Sequence, residues 1–134
     1  MRIISKNFFL VLLAILVFSI ITPVAAGTTL YVDDDGGSDY TTIQAAINNA
    51  SEYDIIIVRD GTYNENVDVN VANLIIRSEN GSDSTTVTAS NANDHVFYVT
   101  ANYVNISGFT VEGANSRTPM LLFAPSTVNP LIFT

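Results

Sequence analysis

Four aspartates close together are the residues in this sequence best suited to binding a metal ion. Asp33, Asp34, Asp35 and Asp39 lie in one short polar segment, and Ca²⁺ prefers several carboxylate or carbonyl oxygens. The segment lacks the ligand spacing and the terminal Glu of a helix–loop–helix calcium site. We therefore keep these four residues as a calcium candidate, beside the alternative of a solvated turn in which Asp39 stabilises the start of a following helix. We expect no other metal and no cofactor.

Other side-chain types limit the chemistry further. The chain has no Cys and a single His, which excludes disulfides, a thiolate zinc site and a Cys nucleophile. A copper or zinc site usually recruits several His or Cys ligands, so we expect His95, next to Asp94, at a surface corner. Tyrosines are the remaining candidates, as a surface that stacks on sugars, although the sequence does not show them clustering: Tyr31, Tyr40, Tyr53, Tyr63, Tyr98 and Tyr103.

The charge balance excludes nucleic acid as a partner. Acidic residues outnumber basic ones 13 to 5, for a formal charge of −8. Two of the basic residues, Arg2 and Lys6, fall in the first six positions. A chain this acidic lacks the positive surface that phosphate backbones require.

The first 26 residues predict a signal peptide. Arg2 and Lys6 precede the apolar run 8–21, in which only Ser19 is polar. This run has the length of a signal-peptide core and is short for a membrane span. We predict cleavage after Ala26 and a secreted or cell-surface protein; an uncleaved N-terminal anchor is the alternative.

Export would make three Asn-X-Ser tripeptides relevant. Asn49, Asn80 and Asn105 each begin such a tripeptide and are candidate glycosylation sites. An Asn-rich chain contains some of these tripeptides by chance, so the prediction of glycosylation depends on export by the predicted leader.

One helix is predicted in the remaining chain, over residues 42–50. Thr41 and Gln44 have the spacing of a capping box. Apolar side chains then recur on one face, at Ile43, Ala46, Ile47 and Ala50.

After this helix the pattern changes to short β-prone runs with polar corners. Two series of apolar residues recur about every 20 residues, which indicates a solenoid rather than a sandwich with hairpins. The two series are Ile57, Ile76 and Phe97, and Val67, Val87 and Phe109. We expect inward-facing side chains at Ile56, Val67, Val69, Ile75, Val87, Val104, Phe109 and Val111.

The motifs in residues 31–37, 41–47, 54–67, 74–78 and 104–113 resemble right-handed parallel β-helix repeat proteins of the pectin-lyase-like superfamily. The subgroup most similar contains archaeal cell-surface proteins and periplasmic copper-associated accessory proteins. The resemblance implies an all-β, right-handed parallel β-helix with an N-terminal capping α-helix. About three coils would occupy residues 27–117.

The resemblance also implies where catalysis would lie. Enzymes of this superfamily gather acids and Arg on one strand face, as Asp clusters for lyases or two Asp with Gln and Arg for esterases. Arg77 is expected near Arg59 one coil earlier, and Arg117 is the third Arg after the predicted leader, but no Asp pair shares a strand with Arg59 or Arg77.

We therefore expect no catalytic residues and no enzyme. The expected role is structural or adhesive, with extracellular polysaccharide as a partner. The alternative is the N-terminal fragment of a carbohydrate-active β-helix enzyme that lacks its catalytic coils.

The last segment departs from the repeat. Residues 118–134 carry no charge, contain three prolines and lack a Gly-rich corner. We expect a truncated β-helix that self-associates through its open end; a tail that caps the last coil is the alternative.

Overall fold

The computed structural model describes residues 26–115 and 121–123. Nearly all of the predicted signal peptide, Arg117 and most of the predicted tail lie outside the described residues. Within the described residues, no helix has the length and apolar character needed to cross a membrane.

The described residues form one helix and ten short strands. In chain order they are β1 (Thr29–Val32), α1 (Ile43–Asn49), β2 (Ile55–Val58), β3 (Gly61–Asn64), β4 (Val67–Val69), β5 (Ile75–Ser78), β6 (Thr85–Thr88), β7 (Phe97–Val99), β8 (Asn105–Ser107), β9 (Thr110–Glu112) and β10 (Leu121–Phe123).

These strands stack into three parallel sheets, which confirms the predicted parallel β-helix. Sheet A has the order β1-β2-β5-β8, sheet B β3-β6-β9 and sheet C β4-β7-β10. All strand pairs are parallel. β1 and α1 make an opening turn, and three complete coils follow it, one strand from each sheet per coil.

The register differs from the predicted rows of apolar residues. Ile56 pairs with Ile76, and Ile76 pairs with Ile106, 20 and then 30 positions further along the chain. The predicted rows instead joined residues from different sheets, such as Ile57 with Phe97. They were wrong because the corners between strands vary in length, so even spacing in sequence does not mark stacked positions.

The inner face of the solenoid is mostly aliphatic, with two buried aromatic residues, Phe97 and Tyr63. The expectation that Ile75 faces inward is wrong, since Ile75 is 38% exposed while Ile76 is fully buried. β5 pairs Ile76 with the buried Ile56, and successive strand residues point to opposite faces. Phe109 and Val111 are half-buried.

Helix α1 closes the N-terminal end of the solenoid, as predicted, with Ile43 and Ile47 fully buried. Its cap is Thr42 rather than Thr41, because the Thr42 hydroxyl accepts a hydrogen bond from the Ala45 amide at 3.2 Å.

A carboxylate from the first coil completes this cap. Glu65 accepts hydrogen bonds from the amides of Ile43 at 2.8 Å and Gln44 at 2.9 Å. The Gln44 side chain is not part of a capping box, because it binds the backbone amide and carbonyl of Asp68. Glu65 and Asp68 therefore both fix α1 to the first complete coil.

Strand β10 lies in the segment predicted not to continue the repeat. It pairs parallel with β7, Leu121 opposite Phe97, so that expectation is wrong for residues 121–123. β8 and β9 are the last described strands of sheets A and B, and self-association through that edge stays a prediction.

Candidate functional site

The candidate site lies at the corner where the chain leaves sheet A. The parallel ladder continues past the strand ends here, because the Arg59 amide donates to the Val32 carbonyl at 2.9 Å and the Glu79 amide to Val58 at 2.8 Å. Asp33, Arg59 and Glu79 therefore occupy the same position in successive turns of the solenoid. We call these three residues the charged corner.

The guanidinium of Arg59 lies between two carboxylates. Its Nη1 is 3.1 Å from Asp33 Oδ2, and its Nε is 4.0 Å from Glu79 Oε2. The side chains of Arg59 and Glu79 are 42% and 45% exposed, whereas that of Asp33 is 17% exposed. Asp33 thus holds Arg59 by a direct, partly buried hydrogen bond, while Glu79 and the outer side of the guanidinium stay open to solvent.

Two tyrosines support Arg59. The Tyr31 ring centroid is 5.9 Å from the guanidinium carbon, within cation–π range. The buried Tyr63 hydroxyl donates to the Arg59 carbonyl at 3.0 Å. Burial, together with nearby carboxylates led by Asp34, raises the pKa of Tyr63 to about 12, so this donor keeps its proton across the physiological range.

Hydrogen bonds hold three of the four carboxylates of the aspartate segment. Asp34 accepts from the Thr62 amide at 3.1 Å, and Asp39 accepts from the Tyr31 amide at 2.9 Å. Asp33 also accepts from the Asp35 amide at 3.2 Å.

These contacts direct the carboxylates of Asp33, Asp34 and Asp39 toward different partners. Among the residues that the structure describes, no group of three or more His, Cys, Asp or Glu side chains is placed to hold a metal ion. The calcium site stays a prediction without a cluster to support it.

Arg77 and His95 are not members of the charged corner. Arg77 pairs with Ile57 and Ser107 on sheet A, not with Arg59. His95 lies just before β7, 3.3 Å from Asp94 and stacked on Tyr98 with ring centroids 5.8 Å apart. The structure therefore places His95 at a partly exposed corner.

The candidate glycosylation residues have different surroundings. The Asn49 amide donates to the Ala45 carbonyl at 2.8 Å within α1, and the Asn80 amide donates to Asp60 at 2.9 Å. Asn105 lies in β8, and its Oδ1 is buried without a hydrogen-bond partner. Glycosylation at any of the three stays a prediction.

A second unusual row lies where the chain enters sheet A. Tyr53, Asn73 and Tyr103 all adopt left-handed backbone, with φ of 72°, 57° and 57°. Each stands two positions before the paired residues Ile55, Ile75 and Asn105. We call these three residues the tyrosine row. The tyrosine row was not predicted from the sequence. The pattern that could have indicated it is that each of its three residues stands just before a β-prone run.

Comparison with known proteins places the chain in a family. The family model named Pectinesterase matches residues 29–116, about two thirds of the chain. The chain therefore belongs to the pectinesterase family, within the pectin-lyase-like β-helix superfamily. No curated protein and no solved structure gives a significant match, and the similarity to archaeal cell-surface proteins stays a prediction.

This membership corrects the expectation that the protein is not an enzyme. A pectinesterase family match points to a carbohydrate esterase, and all three residues of the charged corner lie inside the matched range. That expectation considered only acids and Arg within one strand. In a solenoid the groups come from successive turns, so Asp33 and Glu79 reach Arg59 from 26 and 20 positions away along the chain.

Proposed function

We propose that the protein hydrolyses ester groups on an extracellular polysaccharide, with the charged corner as the ester-binding site. The observation that carries this proposal is the pectinesterase match over residues 29–116. The geometry adds a partly exposed guanidinium with one carboxylate that holds it and a second, more exposed one beside it.

Each group of the charged corner has a role in this proposal. Arg59 donates hydrogen bonds to the ester carbonyl oxygen and stabilises the negative charge that develops on it. Glu79 accepts a proton from the attacking water. The water oxygen bonds to the carbonyl carbon, the ester C–O bond breaks, and the alkoxide leaves as an alcohol with the proton held by Glu79. Asp33 positions Arg59.

The charge of the chain favours an esterified substrate over its product. The formal charge is −8, and like charges repel at short range even at physiological salt. A uronic acid is neutral as an ester and negative after hydrolysis. The acidic surface therefore accepts the ester and favours release of the acid, which suits a highly esterified polymer.

The proposed location follows from the substrate. An esterified polysaccharide is a cell-wall or extracellular polymer, which agrees with the exported location that the predicted leader implies. This location is part of the proposal.

The first prediction tests the charged corner with matched variants. The full chain should release acid and alcohol from highly methyl-esterified polygalacturonan. Glu79→Gln should lower kcat about a hundredfold or more, because it removes the proposed base. Arg59→Ala should lower kcat/KM by a similar factor, through loss of carbonyl stabilisation. Titration at constant pH, with methanol measured separately, provides the readout.

Glu112→Gln is the control for this prediction. Glu112 is an exposed carboxylate on sheet B, so the change removes the same charge away from the charged corner and should leave kcat unchanged. No ester hydrolysis by the full chain would contradict the proposed function. Equal rates for the parent and Glu79→Gln would show that the reaction occurs elsewhere.

A further inference from the structure

We propose that the tyrosine row is a binding surface for a polysaccharide chain that lies along the solenoid axis. The proposal rests on the proposed function for the class of ligand, a neutral or esterified polysaccharide. It adds a site separate from the charged corner.

The first support is the exposure and alignment of the row. Tyr53 and Tyr103 are 57% and 59% exposed, the highest values among the large hydrophobic side chains of the described residues. They occupy the same position two coils apart, with Asn73 between them. Neighbouring strands are about 4.8 Å apart, so the two tyrosine backbones lie about 10 Å from each other.

The second support is that the backbone of this corner does not need a tyrosine. Left-handed backbone is uncommon for bulky residues and well tolerated by Asn. Asn73 adopts it at the middle position with φ of 57°. Holding Tyr in this conformation costs free energy, and such strain is concentrated at functional sites. The two tyrosines therefore present their side chains at a position where Asn would serve the fold better.

The chemistry of the row fits sugar rings. The negative face of an aromatic ring attracts the positive C–H edges of a pyranose ring. Asn73 lies between the tyrosines, and its side-chain amide donates a long hydrogen bond of 3.4 Å to Glu52. An amide with capacity for stronger hydrogen bonds suits sugar hydroxyl groups. A polysaccharide that contacts both tyrosines would lie along the solenoid axis, because the row runs from coil to coil.

The row and the charged corner lie at opposite ends of the sheet A strands. Six positions separate Asn73 from Glu79, which corresponds to about 20 Å of extended strand. Substitutions in the row therefore leave the groups around Arg59 in place, and binding can be measured separately from hydrolysis.

The second prediction uses Tyr53→Asn combined with Tyr103→Asn. Affinity for methyl-esterified polygalacturonan should fall about thirtyfold, because two stacking contacts of about 1 kcal/mol each are lost. The melting temperature should stay equal or rise, because Asn relieves the backbone strain. Both proteins are compared in a Glu79→Gln background so that the polymer is not consumed. Isothermal titration calorimetry measures the affinity.

Tyr98→Asn is the matched control, because it removes a 36%-exposed tyrosine from sheet C and should leave the affinity unchanged. Unchanged affinity in the folded double variant would overturn the proposal. A lower melting temperature would also overturn it, because the corner would then need its tyrosines. If the row variants lose binding while the parent protein shows no hydrolysis, the esterase proposal fails and this one stands. If the parent protein hydrolyses the polymer and the row variants bind it with unchanged affinity, the esterase proposal stands and the proposed binding surface fails.

Discussion

The two corners that flank sheet A are built in opposite ways. Where the chain enters the sheet, the tyrosine row is exposed, and the residues that follow it, Asp54, Leu74 and Val104, are buried. Where the chain leaves the sheet, successive turns present the charged side chains of Asp33, Arg59 and Glu79. The entry corner is thus shaped by buried residues beneath it, and the charged corner by ion pairs at the surface.

Asp54 shows what the entry corner requires. Leu74 and Val104 occupy the same position in later coils and are also buried. Asp54 lies in the first complete coil and accepts hydrogen bonds from the Thr28 amide at 2.6 Å and the Ser51 amide at 2.8 Å. A carboxylate is needed here because two backbone amides, that of Thr28 before β1 and that of Ser51 after α1, both require a hydrogen-bond acceptor at this position.

Because of this difference, we expect substitutions at the two corners to affect different properties. Removing a group that satisfies buried amides leaves them without partners, which is costly. Removing one member of an exposed ion pair costs little stability. The entry corner should therefore dominate the free energy of unfolding, whereas the charged corner should dominate activity.

The third prediction has the largest expected effect on stability. Asp54→Ala should lower the free energy of unfolding by about 3 kcal/mol, because it leaves the amides of Thr28 and Ser51 unpaired. Denaturant titration measures the loss. Asp60→Ala removes an exposed aspartate near the charged corner and should cost much less. Equal losses for the two variants would contradict the contrast between the corners.

The same substitution should also change the response to acid. Burial raises the pKa of Asp54, but hydrogen bonds from Ser51 and Thr28 outweigh it and leave the pKa below its ordinary value of 3.8. The ionised group therefore stabilises the fold above that ordinary value, and this contribution is lost as the pH falls through the lower folded pKa. The difference between the parent and Asp54→Ala should shrink over that range.

The fourth prediction tests the close packing around the aspartate segment. Gly61 has φ of 155°, and a Cβ placed on it would overlap the Asp34 carboxylate. Gly61→Ala should therefore cost about 2 kcal/mol in unfolding free energy. Gly81→Ala is the control, because Gly81 has φ of 95° and open space around it. That change should cost about 1 kcal/mol from the backbone alone.

A second substitution identifies the cause of that loss. Asp34→Ala removes the overlapping carboxylate, so the double variant with Gly61→Ala should recover part of the stability lost by Gly61→Ala alone. A strictly additive double variant would show that Asp34 is not the obstacle.

The fifth prediction has the smallest expected effect. Arg59→Leu should change the free energy of unfolding by about 0.5 kcal/mol or less, because its ion pairs are partly exposed and salt-screened. Thermal melting at low and high salt checks this. A loss above about 2 kcal/mol would mean that the charged corner holds the fold together, as a buried ion pair would.

Several parts of the fold were predictable from local sequence. The helix face formed by Ile43, Ala46 and Ile47 was recognisable because helical periodicity is a property of neighbouring residues. Most strands were recognisable from β-branched runs, such as residues 55–58. The stacking register was not, because it depends on the lengths of the corners, and Ile75 was assigned to the wrong face for that reason.

The candidate site was predictable only in its components. Asp33 was predicted only as a calcium candidate, Arg59 was noted as an arginine without an Asp pair on its strand, and Glu79 was not predicted; the contact between Asp33 and Arg59 joins positions 26 residues apart. The left-handed backbone of Tyr53 and Tyr103 has no local composition signal, since Gly and Asn are the usual markers.

The sequence by itself determined an acidic chain with one amphipathic helix followed by short β-prone runs, because charge and local periodicity depend only on composition and on the spacing of neighbouring residues. The tertiary structure alone decided which residues stack. Parallel pairing brings the ends of β1, β2 and β5 to one corner, and so places a guanidinium between carboxylates from different turns. Neither strand pattern nor residue type specifies that arrangement, because it depends on how many residues each coil uses to complete its turn.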